Sequence, residues 1–207
     1  MYYLFFDVET TGLLPKNYRS GFNNKSWPKI VQAAWILADK NGSIIKTANK
    51  IVAVDVPIPP EVVKIHGISD EIAREQGVPL NSVIDEFLDD LKKSNVLICH
   101  NITFDLNVLR GELIRMETVV EDCSFESFCT MKESVYFCDI PHPYYGRKWP
   151  SLNELYENCF HKKMKNAHDA SADVEAVYKI FFYLKKRKIF KLVQGKDHAE
   201  VSSLKFL

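Results

Sequence analysis

The run YYLFFDVE at positions 2–9 is apolar at almost every position and then closes on two carboxylates, Asp7 and Glu9. A strand that is apolar on both faces belongs in the middle of a sheet covered on both sides. Side chains alternate along a strand, so Asp7 and Glu9 share one face. Ligand crevices in open α/β sheets form at the carboxyl ends of strands, which is where these acids stand. Asp-x-Glu alone is a common pair. The turn-forming Thr10-Thr11-Gly12 that follows sharpens it, because its backbone N–H groups are expected to be free to meet a ligand.

The rest of the chain supplies the partners of that strand. Residues 30–39 and 44–53 read as strands joined by the Lys40-Asn41-Gly42 turn, which makes an antiparallel meander with the first strand. Residues 14–29 are polar and turn-rich, hence loop. Pro57, Pro59 and Pro60 lead into a short helix near Glu61–His66, and Ser69-Asp70-Glu71 starts another. An amphipathic helix is expected over 80–93, a short buried strand over 96–100 and a helix from about Thr103 to Met116. A short strand or turn near Phe128–Met131 precedes a helix of uncertain length, and residues 139–150 are loop. Ser151 and Glu154 form a capping-box pattern at the head of a helix over 151–160. The last helix runs from about Asp169 to Lys186. Strands first, then alternating helix and strand, predict an α/β fold with a sheet of mixed direction and helices on its faces.

A chain of 207 residues suffices for one well-cored domain, with or without a small appendage. It has no apolar stretch long enough for a membrane span. The N-terminus reads as neither a signal nor a transit peptide. Five cysteines without a CxxC spacing are expected to be reduced thiols of a cytoplasmic protein. The formal net charge is zero. A polyanionic partner would therefore be met through local basic patches and bound cations, not a global field.

Two more acids stand where carboxylates are uncomfortable. Asp173 lies on the same helical stripe as Ala170, Val177, Ile180 and Leu184, while Glu175, Lys179 and Lys186 occupy the opposite face. His168, on the incoming loop, can address the same pocket. Asp105 falls in the first turn of its helix, where an acid complements the helix dipole. Asn101 and Phe104 flank it, directly after a buried strand. Several buried acids in one place are tolerated mainly when a metal ion or a proton compensates them. The pattern points to a metal-dependent hydrolase.

FDVETTGL (6–13), HNITFD (100–105) and HDASAD (168–173) together resemble the three motifs of the DEDDh group of 3′-5′ exonucleases. KIHGIS (64–69) and WPSLNEL (149–155) are similar to segments of the epsilon-like proofreading members. The resemblance covers about residues 1–187, the expected exonuclease domain, and leaves 188–207 as an extension of unassigned role. It implies a ribonuclease-H-like mixed sheet, three antiparallel strands followed by parallel strands, with helices on both faces. It also implies hydrolysis assisted by two divalent ions, Mg²⁺ or Mn²⁺, held by Asp7, Glu9, Asp105 and Asp173. His168 would be the general base, a role suited to imidazole near neutral pH. Thr10, Thr11, Leu13, His66, Asn101 and Phe104 would contact the 3′-terminal nucleotides, Leu13 as a wedge and Phe104 as a pocket wall.

The implied partner is nucleic acid, DNA in preference to RNA, with a polymerase subunit or a second copy as possible protein partners and no membrane. An RNA 3′ exonuclease and a catalytically silent binding module are the alternatives. Two cationic segments are candidates for strand contact: the run Lys185–Lys188, and the aromatic loop Tyr144-Tyr145-Gly146-Arg147-Lys148-Trp149. The apolar end, Leu204-Lys205-Phe206-Leu207, would dock a partner or pack on its own domain.

Overall fold

The computed structural model describes residues 1–16, 27–120, 124–144, 146–192 and 202–203. Strand β1 (Tyr2–Thr10) pairs antiparallel with β2 (Ile30–Asp39), which pairs antiparallel with β3 (Ile44–Ile51). Helices α1 (Pro60–His66), α2 (Asp70–Gln76) and α3 (Leu80–Lys93) follow, then β4 (Val96–Cys99) and α4 (Ile102–Arg115). Next come β5 (Ser124–Cys129), the single turns α5 (Thr130–Glu133) and α6 (Val135–Cys138), and a two-rung hairpin of β6 (Pro141–His142) and β7 (Gly146–Arg147). The chain then forms α7 (Leu152–Phe160), α8 (Ala170–Lys186) and β8 (Ser202–Ser203).

The main sheet has the order β3-β2-β1-β4-β5-β8, antiparallel through β1, parallel from β1 to β5, and closed by an antiparallel β8. β1 is central, as its two apolar faces require. Its even positions Leu4, Phe6 and Val8 pack with Phe87 and Leu91 of α3 and Leu106 and Leu109 of α4. Its odd positions Tyr3 and Phe5 pack with Leu155 of α7 and Val177, Phe181 and Leu184 of α8. Two helical layers therefore sandwich the sheet.

Several expected boundaries shift. The third strand stops at Ile51; Val52 still donates its N–H to the Val31 carbonyl at 2.9 Å and forms an isolated parallel bridge with Val78. The strand expected near Phe128–Met131 begins at Ser124 and ends at Cys129, where Thr130 opens a helix. Its polar Glu126 and Ser127 hide it in the sequence, yet they pair with Val96 and Leu97. The expected loop 139–150 contains the small β6–β7 hairpin.

The loop after β1 returns through a built anchor. Glu112, 2% exposed, accepts the Ile30 N–H at 2.9 Å and pairs with Arg115, which donates to the Pro28 carbonyl. Trp27 lies so close to Gly111 that an added Cβ would meet its ring at 2.9 Å. Positions 17–26 of that loop, Tyr145, and Leu204–Leu207 fall outside the described residues. Among the described residues no helix is long and apolar enough to cross a membrane, and Cys99, Cys129, Cys138 and Cys159 are buried free thiols.

Candidate active site

The carboxyl end of β1 collects acids from both helical layers. Asp7 and Glu9 share the strand face that carries Tyr3 and Phe5, the face covered by α8. Asp173 stands in the first turn of α8, four residues after its N-cap Asp169. Asp105 stands in the first turn of α4, four residues after its N-cap Asn101. One helix approaches from each side of the sheet, and each presents an acid at its positive end. Asp105 also accepts a hydrogen bond from the Val8 backbone, which ties α4 to β1.

His168 enters from the loop before α8 in the left-handed region, at φ 69°, and donates its backbone N–H to Asp173 Oδ2 at 3.4 Å. Its exposed ring joins the carboxylates: Glu9, His168 and Asp173 each offer a ligand atom, and these atoms lie within 4.8 Å of one another. Asp173 Oδ1 is buried without a hydrogen-bond partner. An orphaned carboxylate oxygen beside further oxygen donors fits a hard divalent cation.

The electrostatics agree with that fit. Burial pushes Asp7 well above the usual carboxylate range, and the charges of Asp105, Asp173 and Glu9 push it further. Glu9 is pushed up to about 8 by burial, then by Asp173 and Asp105. Asp105 rises to about 8 by burial, and Asp173 to about 6 by burial against the opposing hydrogen bond from His168. So many carboxylates cannot all ionise together at neutral pH without a compensating positive charge.

Two residues that motif reading passes over belong to this neighbourhood. Asp169 caps α8, accepting from the Ser171 and Ala172 N–H groups, and its charge raises Asp7, Glu9 and Asp173. Gln32 lies opposite Glu9 in the β1–β2 register and accepts the Ala170 N–H. The sequence signal for Asp169 was its place at a helix start. For Gln32 it was a lone amide in the strand IVQAAWILAD.

The expected substrate-contact residues are placed as follows. Thr10 is buried and donates its hydroxyl to the Gly12 carbonyl at 2.6 Å. The turn's N–H groups are not free, contrary to expectation. Thr11 N–H donates to the Lys29 carbonyl, Thr11 Oγ1 accepts from Lys29 N–H, and Gly12 N–H meets Thr10 Oγ1. A chain that must leave the sheet and return spends these groups on its own closure. Leu13 is 84% exposed. His66 accepts the Ile68 N–H through Nδ1, its buried Nε2 has no partner, and it lies beside the Thr10 backbone. Asn101 is exposed in the left-handed region, which asparagine tolerates, and Phe104 packs on the core under α4.

His100 has a different office. Its Nδ1 bonds Thr130 Oγ1 at 3.0 Å and its Nε2 bonds the Pro150 carbonyl at 3.1 Å. Burial lowers it to about 4, so it stays neutral and joins β4, α5 and the head of α7.

The run Lys185–Lys188 is remote from the acids. Lys185 donates to the Tyr3 hydroxyl and the Lys40 carbonyl, at the opposite end of β1, and Arg187 stacks on Tyr183. Helix α8 starts at the acids and ends there, about 1.5 Å per residue away along 17 residues.

Comparison with known proteins follows the same outline. The family model described as "Exonuclease" matches residues 4–181. The chain belongs to the exonuclease family. Exonuclease-family relatives include the PolC-type DNA polymerase III of Caldanaerobacter subterraneus, 25% identical over 202 residues, which span 98% of this chain and 13% of that protein. The 3′-5′ exonuclease DinG of Bacillus subtilis is 29% identical over 84% of this chain and 16% of its own length. The epsilon subunit of DNA polymerase III from Treponema pallidum is 31% identical over 52% of this chain and 44% of its own. This exonuclease-family chain thus spans under a fifth of the PolC-type and DinG relatives. Among solved structures, E. coli Exonuclease I in complex with a dA16 oligonucleotide superposes with a TM-score of 0.72 at 21% identity, over 90% of this chain and 41% of that one. The shared fold is the ribonuclease-H-like mixed sheet with helices on both faces.

Proposed function

We propose that this exonuclease-family chain hydrolyses phosphodiester bonds from the 3′ end of DNA, preferring single-stranded or frayed ends, and releases nucleoside 5′-monophosphates. The observation that carries the reading is the convergence of Asp7, Glu9, Asp105, Asp173 and His168 at one strand end, supplied from both helical layers. The four acids would hold two Mg²⁺ or Mn²⁺ ions. Divalent cations bound there supply charge neutralisation and Lewis-acid activation of the phosphodiester.

The remaining chemistry belongs to the chain. His168, exposed at the mouth beside Glu9 and Asp173, takes the proton of the attacking water. Leu13, exposed on the turn after β1, wedges against the terminal bases, while Phe104, Asn101, His66 and the Thr10-Thr11 backbone line the terminal pocket. Residues 1–187 form the exonuclease domain. DNA is favoured over RNA because the relatives are named as DNA polymerase chains and the Exonuclease I structures hold dA16 and dT13. A polymerase is a fitting partner for a chain similar to epsilon subunits, and a twin copy is the other.

The test is a time course on 5′-labelled single-stranded DNA and matched RNA with Mg²⁺, comparing the native chain with His168→Ala and Asp7→Ala. Stepwise shortening by the native chain and its loss in both variants is expected. Undiminished digestion by either variant sinks the assignment of these residues, and faster loss of RNA sinks the DNA preference.

A further inference from the structure

The stretch from α6 to the head of α7 presents an unusual surface. Among the described residues the exposed aromatic rings are Tyr2, Tyr136, Tyr144 and Trp149, and three of these four lie within this stretch. Tyr136 is 81% exposed, Tyr144 85% and Trp149 62%. Elsewhere the rings pack into the two cores, where burial of a ring contributes most.

The segment is anchored at the active end of the sheet. His100, which follows β4, holds the Pro150 carbonyl next to Trp149. β4 pairs in parallel with β1, Phe5 opposite Ile98. The aromatic stretch is therefore tied, through His100, to the end of the sheet where β1 carries the acids.

The segment's described residues are also braced against one another. The β6–β7 rungs close it, and Lys148 donates its N–H to the Ile140 carbonyl at 3.0 Å. Arg147 pairs with Asp139 and lies over the Tyr136 ring at 5.1 Å, and Lys148 pairs with Glu154. Its cations are spent on its own scaffold, so what it offers a ligand is ring faces, not unpaired charge. A duplex keeps its bases stacked on one another and gives such rings nothing flat to meet. An unpaired strand does.

We propose that Tyr136, Tyr144 and Trp149 form a stacking platform for the bases of a single strand just upstream of the bond being cut. This rests on the nuclease reading above and adds to it a determinant of strand length and strandedness. The competing path is the groove of about 240 Å³ between α7 and α8, lined by Lys162, Lys163, Lys165 and Lys179, which would act on phosphates.

The experiment measures kcat and KM for the native chain, Trp149→Ala, Trp149→Phe and Tyr144→Ala, on a dinucleotide and on a single strand of about 15 nucleotides. Loss of a stacked base is expected to raise KM on the long strand roughly five- to hundredfold in the alanine variants, with kcat little changed. KM on the dinucleotide should stay put, Trp149→Phe should recover most of the loss, and the salt dependence of KM should be unaltered, because no phosphate contact is removed. Unchanged KM on the long strand in both alanine variants overturns the platform. So does an equal loss on both substrates, or a shallower salt dependence, which assigns the strand to phosphate contacts. Tyr144→Ala, at the exposed hairpin tip, keeps the test open if Trp149→Ala misfolds. A native chain that cuts neither substrate removes the nuclease reading itself, a result distinct from a cutting chain whose variants behave alike.

Discussion

Gln32 Oε1 accepts the Ala170 N–H at 3.1 Å across 138 residues of sequence, while its amide donates to Asn49 Oδ1 at 2.9 Å. One side chain in β2 thereby fixes the head of α8, and with it Asp169 and Asp173, against the strand that bears Glu9. Replacing Gln32 with alanine leaves a buried helix-terminal N–H without a partner, at a cost of about 1–3 kcal/mol. For a chain of this size the melting point is expected to fall by roughly 3–10 °C. Displacement of Asp173 should lower kcat by up to ~100-fold. Thermal melting and single-turnover kinetics on the same variant check both effects; unchanged kcat would show that α8 is seated by other contacts.

The raised carboxylates make the protein sensitive to pH in a definite direction. Asp7, Glu9, Asp105 and Asp173 all bind protons more tightly folded than unfolded. The folded state therefore holds more protons between the ordinary carboxylate range and about 8, and stability falls as pH rises through that window. In the presence of chelator, the melting point should drop between pH 5 and pH 8. A divalent cation at 100 times its Kd should restore about 2.7 kcal/mol at the upper end of that range. Melting curves with EDTA and with Mg²⁺ at several pH values test the linkage, and a chelated protein that gains stability toward pH 8 contradicts it.

Asp7→Asn separates stability from activity. Removing a charge that is costly without a cation should raise the melting point of the chelated protein at pH 8 and leave it nearly unchanged at pH 5. Activity should drop by more than the ~10–100-fold typical of an outer-shell partner of a metal site. Destabilisation at pH 8 in chelator would mean that the carboxylate makes contacts worth more than its repulsion.

The two motif histidines should behave as opposites. His168→Ala is expected to lose ~10²–10⁴ in kcat with little change in melting point, because its ring is exposed. His100→Ala breaks the bonds to Thr130 and Pro150 and should cost about 1–3 kcal/mol of stability. Since burial lowers His100 to about 4, its loss should leave the shape of the activity profile above pH 5 unaltered. Kinetics and melting of the pair across pH 5–9 resolve them.

Much of this architecture is legible in the sequence, for identifiable reasons. The amphipathic period of α3 marks it at Leu80–Lys93 in both readings, and the apolar stripe of α8 singles out Asp173. What escapes the sequence depends on distant partners. Beyond Ile51 the β3 pairing narrows to a single parallel bridge, in which Val52 faces Val78 from a distant segment. The N–H groups of the Thr10-Thr11-Gly12 turn are consumed by Lys29 and Thr10, and the outcome for Thr11 turns on where the returning chain is anchored, by Trp27 and Glu112. Lys185 belongs to a basic run, yet it spends its charge on the Tyr3 hydroxyl, which no local pattern reveals. Gln32 looks like a blemish in an apolar strand until the head of α8 is placed against it.

The acids at the end of β1 come from helices that lie on opposite sides of the sheet. If these acids form the proposed centre, neither layer alone completes it, and partial detachment of one helix should silence the molecule while most of its core stays intact. Catalytic turnover then reports the docking of the two layers, and heating should extinguish it at a lower temperature than the one at which the sheet itself comes apart.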